Sequence, residues 1–182
     1  MPSARPEIWS KGHRNPQGLA LDSRTGQLWS HEHGPKGGDE LNRILPGRNY
    51  GWPVITHGLD YSGSPIGEGN EKEGMEQPIH HWSPAIAPSG LAIQASGDTT
   101  NFWIGALVGQ AIVLIEKSDA LTRERRLLDQ HVGRVRDVRI GPDDMLYLLT
   151  DGPAGGLYRL NPALEQAYHL QPDGRGSSDS RR

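Results

Sequence analysis

Three short stretches of the 182-residue chain hold side chains that could do chemistry together. The densest is 31–52, HEHGPKGGDELNRILPGRNYGW, which sets His31, Glu32, His33, Asp39 and Glu40 around a glycine-rich turn, Gly34 to Gly38. His31 and His33 stand at i and i+2, so on a strand both project from one side. With Glu32 they form a donor set that suits zinc or iron. The Gly34-Pro35 turn suggests other chemistry. Such a turn leaves carbonyl oxygens facing outward, and hard cations such as calcium take oxygen ligands. Asp39 and Glu40 precede a strand-like run from Leu41 to Leu45. Glu40, Asp60 and the backbone near Tyr50 make a second all-oxygen group if the segment 53–81 folds back. The plain alternative for each group is an exposed polar loop.

The other two stretches are cationic. Arg14-Asn15 opens the run RNPQG at the entry to a strand; a guanidinium beside a carboxamide suits carboxylates or carbonyl oxygens. Alternation in RVRDV places Arg134 and Arg136 on one strand face. Two guanidiniums there repel unless an anion lies between them, or unless each pairs with its own carboxylate, Asp137 or Asp151.

The elements that must position these groups are strands. Hydrophobic residues are only 34% of the chain, while Gly and Pro number 24 and 14, a balance that disfavours helices and favours short strands joined by tight turns. Three segments share a strand, turn, strand, loop, strand layout: 15–31, 87–116 and 135–160. Strand-rich repeats of roughly 40–50 residues predict propeller blades. Known propellers have about four to eight blades. Three blades therefore predict an all-β arc that is part of a larger protein, or that forms a homodimer. Residues 1–165 read as this partial β-propeller and 166–182 as a disordered polar tail. The segment 117–130 passes for a short helix, but in a propeller it reads as a loop and an outer strand.

Several function classes drop out. A formal charge of −3 gives no field for nucleic acid or anionic lipid. With no cysteine there is no thiolate zinc site, iron–sulfur cluster or thiol catalysis. No apolar run is long enough to insert in a membrane as a helix. No nucleophile elbow, P-loop or dinucleotide fingerprint occurs. The first residues lack the apolar centre of a signal peptide, so either the protein is cytosolic or the start of the gene product is not in this chain.

RNPQG at 14–18, HEHGPKGGDELN at 31–42, GRNYGWP at 47–53, WSPAIAPSG at 82–90 and RVRDV at 134–138 together resemble the soluble quinoprotein sugar dehydrogenases. This is the glucose/sorbosone dehydrogenase family, and the aldose sugar dehydrogenases resemble the chain more closely. The resemblance spans about 7–162 and implies part of a six-bladed β-propeller that binds pyrroloquinoline quinone (PQQ) and calcium. The implied reaction oxidises an aldose at C1 to the lactone, in a full-length protein that is periplasmic or secreted. Arg14 and Asn15 would contact the quinone end of PQQ, and Arg134 and Arg136 its carboxylates and the substrate end. The carbonyls of Gly34 and Pro35 would bind the PQQ calcium. Glu40, Tyr50 (through its carbonyl) and Asp60 match a second, structural calcium.

Two departures follow from the same resemblance. The family's catalytic histidine belongs to the N-terminal half of the propeller, so no catalytic residue is expected in this chain, His13 included. The family's PQQ-binding lysine is replaced by Val108; Lys36 and Arg139 are substitutes by charge alone. The electron acceptor and the particular sugar stay unnamed. The rival reading is a propeller without catalysis that binds sugar or protein, and a third is a metal hydrolase using His31 and His33.

Overall fold

A computed structural model describes residues 5–160, and every regular element among them is a β-strand. The first sheet contains β1 (Pro16–Asp22), β2 (Gln27–Glu32), β3 (Asp39–Ile44) and β4 (His80–Trp82). The second contains β5 (Pro88–Ser96), β6 (Thr99–Ala106), β7 (Ala111–Lys117) and β8 (Thr122–Leu127). The third contains β9 (Arg134–Ile140), β10 (Leu146–Asp151) and β11 (Leu157–Leu160). Within each sheet neighbours in sequence are neighbours in space, and every pairing is antiparallel. The three repeats read from the sequence are these three sheets. The 117–130 segment holds outer strand β8, not a helix, while the polar tail at 166–182 lies outside the described residues.

The turns follow their residue types. Asp22 accepts from Arg24 N through Oδ1 and from Gly26 N through its carbonyl, at 3.0 and 2.8 Å. This is the Asx-type turn that Asp favours, and Gly26 takes the positive φ of 69° that closes it. At the β9–β10 turn Asp144 takes a φ of 58° after Gly141-Pro142-Asp143.

The sheets stack face to face as blades, because each strand alternates two sets of apolar side chains. One core, between blades one and two, contains Trp29, Leu41, Trp82, Leu91, Phe102, Ile104, Val113 and Ile115. The other, between blades two and three, contains Trp103, Ile112, Leu114, Leu127, Val135, Val138, Leu146 and Leu148. Neighbours in β6 and β7 thus go to opposite cores, and both faces of blade two are dry. On the outer faces of the arc, Leu19 and Leu21 of blade one and Leu149 and Leu157 of blade three are exposed.

Outer strands are clasped by one carboxylate. Glu124 on β8 accepts from Trp82 Nε1 at 3.0 Å and lies 2.8 Å from His80 Nε2, both on β4. The His80 hydrogen bond, against an opposing effect of burial, pulls the Glu124 carboxyl down to about 2.

Inner strands approach through glycine. A Cβ on Gly18 of β1 would collide with the His31 ring and Leu91, and one on Gly90 of β5 with Asp137 and the Val138 backbone. Backbone cannot give way as a flexible side chain can. Gly90→Ala is therefore expected to lower stability by about 1–3 kcal/mol, the range of overpacking. A denaturant titration checks this, and an unchanged midpoint would show that blade three tolerates the shift.

Each inner strand also carries a register shift, between Pro16 and Gly18, between Pro88 and Leu91, and opposite Leu149 and Thr150 in β9. All three lie at the same end of their blades. Bulges concentrate where a strand must re-aim side chains beside a site, and the candidate residues gather at this end.

Candidate cofactor and cation site

At that end of blade one, the start of β1, the end of β2 and the start of β3 meet. Arg14 is fixed from three segments. Its Nη1 donates to the carbonyls of His33 and Gly34, both at 3.0 Å. Its Nη2 reaches Tyr61 Oη at 3.5 Å, and its Cζ lies 5.4 Å from the Trp52 ring centroid. A guanidinium over an indole face is an attractive cation–π pair. Neither Trp52 nor Tyr61 stood out in the sequence as a partner of Arg14.

Glu32 is the hub beneath, and its role was also not apparent in the sequence. It is 5% exposed. Its Oε2 accepts from the backbone N–H groups of Arg14 and Asn15. Its Oε1 lies 3.0 Å from His13 Nδ1 and accepts from Asn42 Nδ2 at 3.4 Å. The carboxylate thereby sets the backbone of the Arg14-Asn15 pair.

Asp39 and Glu40 lie within β3, two residues earlier than the sequence run suggested, so they point to opposite faces. Asp39 is 1% exposed and turns toward blade two. Its Oδ1 accepts from Gly34 N at 2.9 Å, and its Oδ2 accepts from Ile86 N and Ala87 N, both at 2.8 Å. One side chain ties the Gly34-Pro35 turn to the link between blades.

Glu40 faces the other way, into a small cavity lined also by Gly12, Glu32, Gly34 and Tyr50. Burial pushes its carboxyl up to about 7, against an opposing hydrogen bond from Asn42. Asn42 Oδ1, on the same strand face, is buried and unpartnered. Tyr50 commits its hydroxyl to the Arg43 carbonyl at 2.6 Å and to Leu45 N at 2.8 Å. Partly buried Glu40, the orphaned Asn42 amide oxygen beside it and the lining residue Tyr50 bring together oxygen-bearing groups of the kind that hard cations take. Asp60 does not join it. That side chain is exposed, closes its own turn onto Ser62 N at 2.8 Å, and is absent from the cavity wall. The hydrogen bonds with Ser62 hold its carboxyl below the usual range.

The histidine-based metal set is not assembled. His31 is fully buried with its Nε2 3.2 Å from the Gly90 carbonyl, and His33 Nε2 lies 2.7 Å from the Pro88 carbonyl. Both rings reach the same side, as alternation required, but they bridge to blade two. Burial lowers the His31 pKa to about 4, so the ring is neutral. No group of three or more His, Cys, Asp or Glu side chains among the described residues could hold a metal. The second histidine pair, His57 and His81, stacks with centroids 4.1 Å apart and planes inclined by 13°. Near-parallel rings cannot both aim a nitrogen at one ion, and the stack fastens the 53–79 segment to β4. That segment does fold back onto the Gly34–Gly38 turn, through Lys36 N and O bonded to Leu59 O and N at 3.0 and 3.1 Å.

On blade three, Arg134 and Arg136 are both exposed on either side of buried Val135. Arg134 pairs with Asp151 at 3.3 Å, one of the two carboxylates named as alternatives, whereas no ion pair among the described residues includes Arg136. Asp137 pairs instead with Arg139 at 2.8 Å. Arg139 also donates to the Leu91 and Val138 carbonyls, so it is committed away from the place of the absent lysine. Val108, in the β6–β7 turn, is 61% exposed.

Residues 1–159 match the model of the family described as Glucose / Sorbosone dehydrogenase. Aldose sugar dehydrogenase YliI of Escherichia coli (strain K12) is 43% identical over 166 residues, covering 87% of this chain and 45% of that protein. A crystal structure of glucose dehydrogenase aligns with TM-score 0.80 and 46% identity, over 86% of this chain and 47% of that one. The PQQ-bound aldose sugar dehydrogenase from Streptomyces coelicolor aligns with TM-score 0.64 and 31% identity, over 84% of this chain and 43% of that one. The chain thus spans about half the length of the relatives it matches.

Proposed function

The chain belongs to the glucose / sorbosone dehydrogenase family, and on that premise we propose that it forms the cofactor-holding half of a PQQ-dependent aldose dehydrogenase. The observation that carries this reading is Arg14, clamped over the Gly34 carbonyl at one open end of the blades. In this reading Arg14 and Asn15 hold the quinone end of PQQ, with Glu32 fixing their backbone. Gly34 and Pro35 offer carbonyl oxygens to the PQQ calcium, and Asp39 sets the turn that presents them. Arg134 and Arg136 take the carboxylates, which requires Arg134 to exchange Asp151 for the ligand. Glu40 and the Tyr50 carbonyl hold a second calcium. When bound, PQQ supplies an electrophilic ortho-quinone that accepts hydride from C1 of the aldose, with calcium polarising the quinone oxygens.

None of the histidines described here is placed as the base. The apolar end faces at Leu19, Leu21, Leu149 and Leu157 are to be closed by three further blades, on a longer polypeptide or in a second copy. The working protein is exported to the periplasm or beyond.

The test compares this chain with a version extended at its N-terminus. The extended protein, given PQQ, calcium and an aldose, is expected to reduce a redox dye. The chain alone should bind PQQ only with calcium and turn over no sugar. An extended protein inactive across a broad aldose panel would sink the enzyme reading. Val108 favours a second reading, a propeller that binds sugar or protein without catalysis. Absence of calcium-dependent PQQ binding in the extended protein would select it.

A further inference from the structure

The opposite end of blades one and two holds a cavity of about 370 Å³ that the oxidoreductase reading does not use. Three turns build it: β1–β2, β5–β6 and β7–β8, with Arg43 added from β3. Arg14 precedes β1 and the cavity lies past its other end. At about 3.3 Å per residue, the seven residues of β1 place the two roughly 20 Å apart.

The walls are charged in balance. Asp22, Asp98 and Asp119 face Arg24, Arg43 and Lys117 around the cavity. None of these six takes part in an ion pair among the described residues. Opposite charges at one cavity normally collapse onto each other unless something holds them apart. Here the backbone and neighbouring groups do so. Arg24 is fixed to the Gly97 carbonyl at 2.7 Å and to Thr100 Oγ1 at 3.1 Å, and Arg43 Nε donates to Gln27 Oε1 at 2.7 Å. Trp29, packed in the core between blades one and two, also lines the cavity.

We propose that this cavity binds a neutral, polyhydroxylated molecule of monosaccharide size. A simple anion would meet three carboxylates and a simple cation three positive side chains. Hydroxyl groups both donate and accept, so they satisfy the two sets together. The volume lies in the range of small-molecule sites. The proposal does not rest on the oxidoreductase reading, since it uses no residue of the cofactor end.

The intact chain, labelled with ¹⁵N, is titrated with myo-inositol, a cyclic polyol with no anomeric carbon and so no substrate for C1 oxidation. Saturable millimolar binding is expected, with amide shifts at 22–26, 97–100 and 117–121. Asp98→Asn, on an exposed turn, should weaken binding about tenfold. Absence of saturation, shifts confined to 12–15 and 32–52, full binding in Asp98→Asn, or tighter binding of inorganic phosphate would each overturn the proposal. Failure here leaves the PQQ titration untouched, so the two readings stand or fall separately.

Discussion

Asp39→Ala is expected to lower the stability of the chain by about 4 kcal/mol. The substitution strips the acceptor from three backbone N–H groups, those of Gly34, Ile86 and Ala87. A buried donor left unpaired costs about 1–3 kcal/mol. Loss of the carboxylate's own desolvation cost offsets part of that sum. For a domain of this length the melting temperature should fall by roughly 10 °C. Asp39→Asn keeps the shape and one oxygen, so it should fall about half as far. Thermal unfolding followed by circular dichroism measures both. A melting point for Asp39→Ala within about 2 °C of the parent would mean that the tether between the Gly34-Pro35 turn and the blade link is not structural. On the proposed function, the same substitution should also weaken PQQ and calcium binding under conditions where the chain stays folded, because it frees the Gly34-Pro35 turn.

At pH 8, Glu40→Gln is expected to stabilise the metal-free chain by about 1–3 kcal/mol and to abolish its response to calcium. Burial raises the Glu40 carboxyl from 4.5 to about 7 in the folded chain. Between those values the unfolded chain releases a proton that the folded chain retains. The stability contributed by this raised group is therefore full below about 4.5 and lost as pH rises through about 7. At 1.36 kcal/mol per pKa unit the loss amounts to about 3 kcal/mol at most. Glutamine does not ionise, so it escapes the loss. A bound cation reverses the sign, because it favours the ionised carboxylate, and protons compete with it. Calcium should thus raise the melting temperature strongly at pH 8 and weakly at pH 6. An equal calcium shift at both pH values, or one that survives in Glu40→Gln, would remove Glu40 from the ligand set.

Much of the fold was legible in the sequence because it rests on local rules. Short apolar runs such as Ala111–Ile115 and turn residues such as Gly141-Pro142-Asp143 mark strands and their ends without reference to distant parts of the chain. The three repeats were read on that basis, whereas the outer strand within 117–130 followed from the propeller context, since its local pattern passes for a helix. The candidate site was legible as a set of residue types, among which Arg14, Gly34 and Glu40 do come together around one cavity. Its wiring was not. Glu32 holds Arg14 and Asn15 across a gap in sequence, and Asp39 reaches Ile86 and Ala87, so both roles exist only once the blades are stacked. The two-residue error at the start of β3 hid the fact that Asp39 and Glu40 serve opposite faces. The spacing of two suggested His31 and His33 as ligands, but the same spacing equally suits two rings that fasten one blade to the next. Asp60 sat at a suggestive distance in sequence and outside the cavity in space, because its own Asx turn with Ser62 sets where the carboxylate points.

The stacking of consecutive sheets also decides how the chain comes apart. Each blade is a contiguous meander that touches only its neighbours in sequence, so stability is close to a sum of unit terms and nearest-neighbour terms. The middle blade has two such neighbours and holds fully buried Phe102, Ile104, Ile112, Val113 and Ile115. The third has one neighbour and three strands among the described residues. Amides of β6 and β7 should therefore exchange with solvent only through global unfolding. Those of β10 and β11 should exchange through opening of the terminal unit alone. Arg134 and Arg136 ride on the third blade, so on the proposed function a ligand that also contacts Arg14 is expected to slow the exchange of β10 and β11.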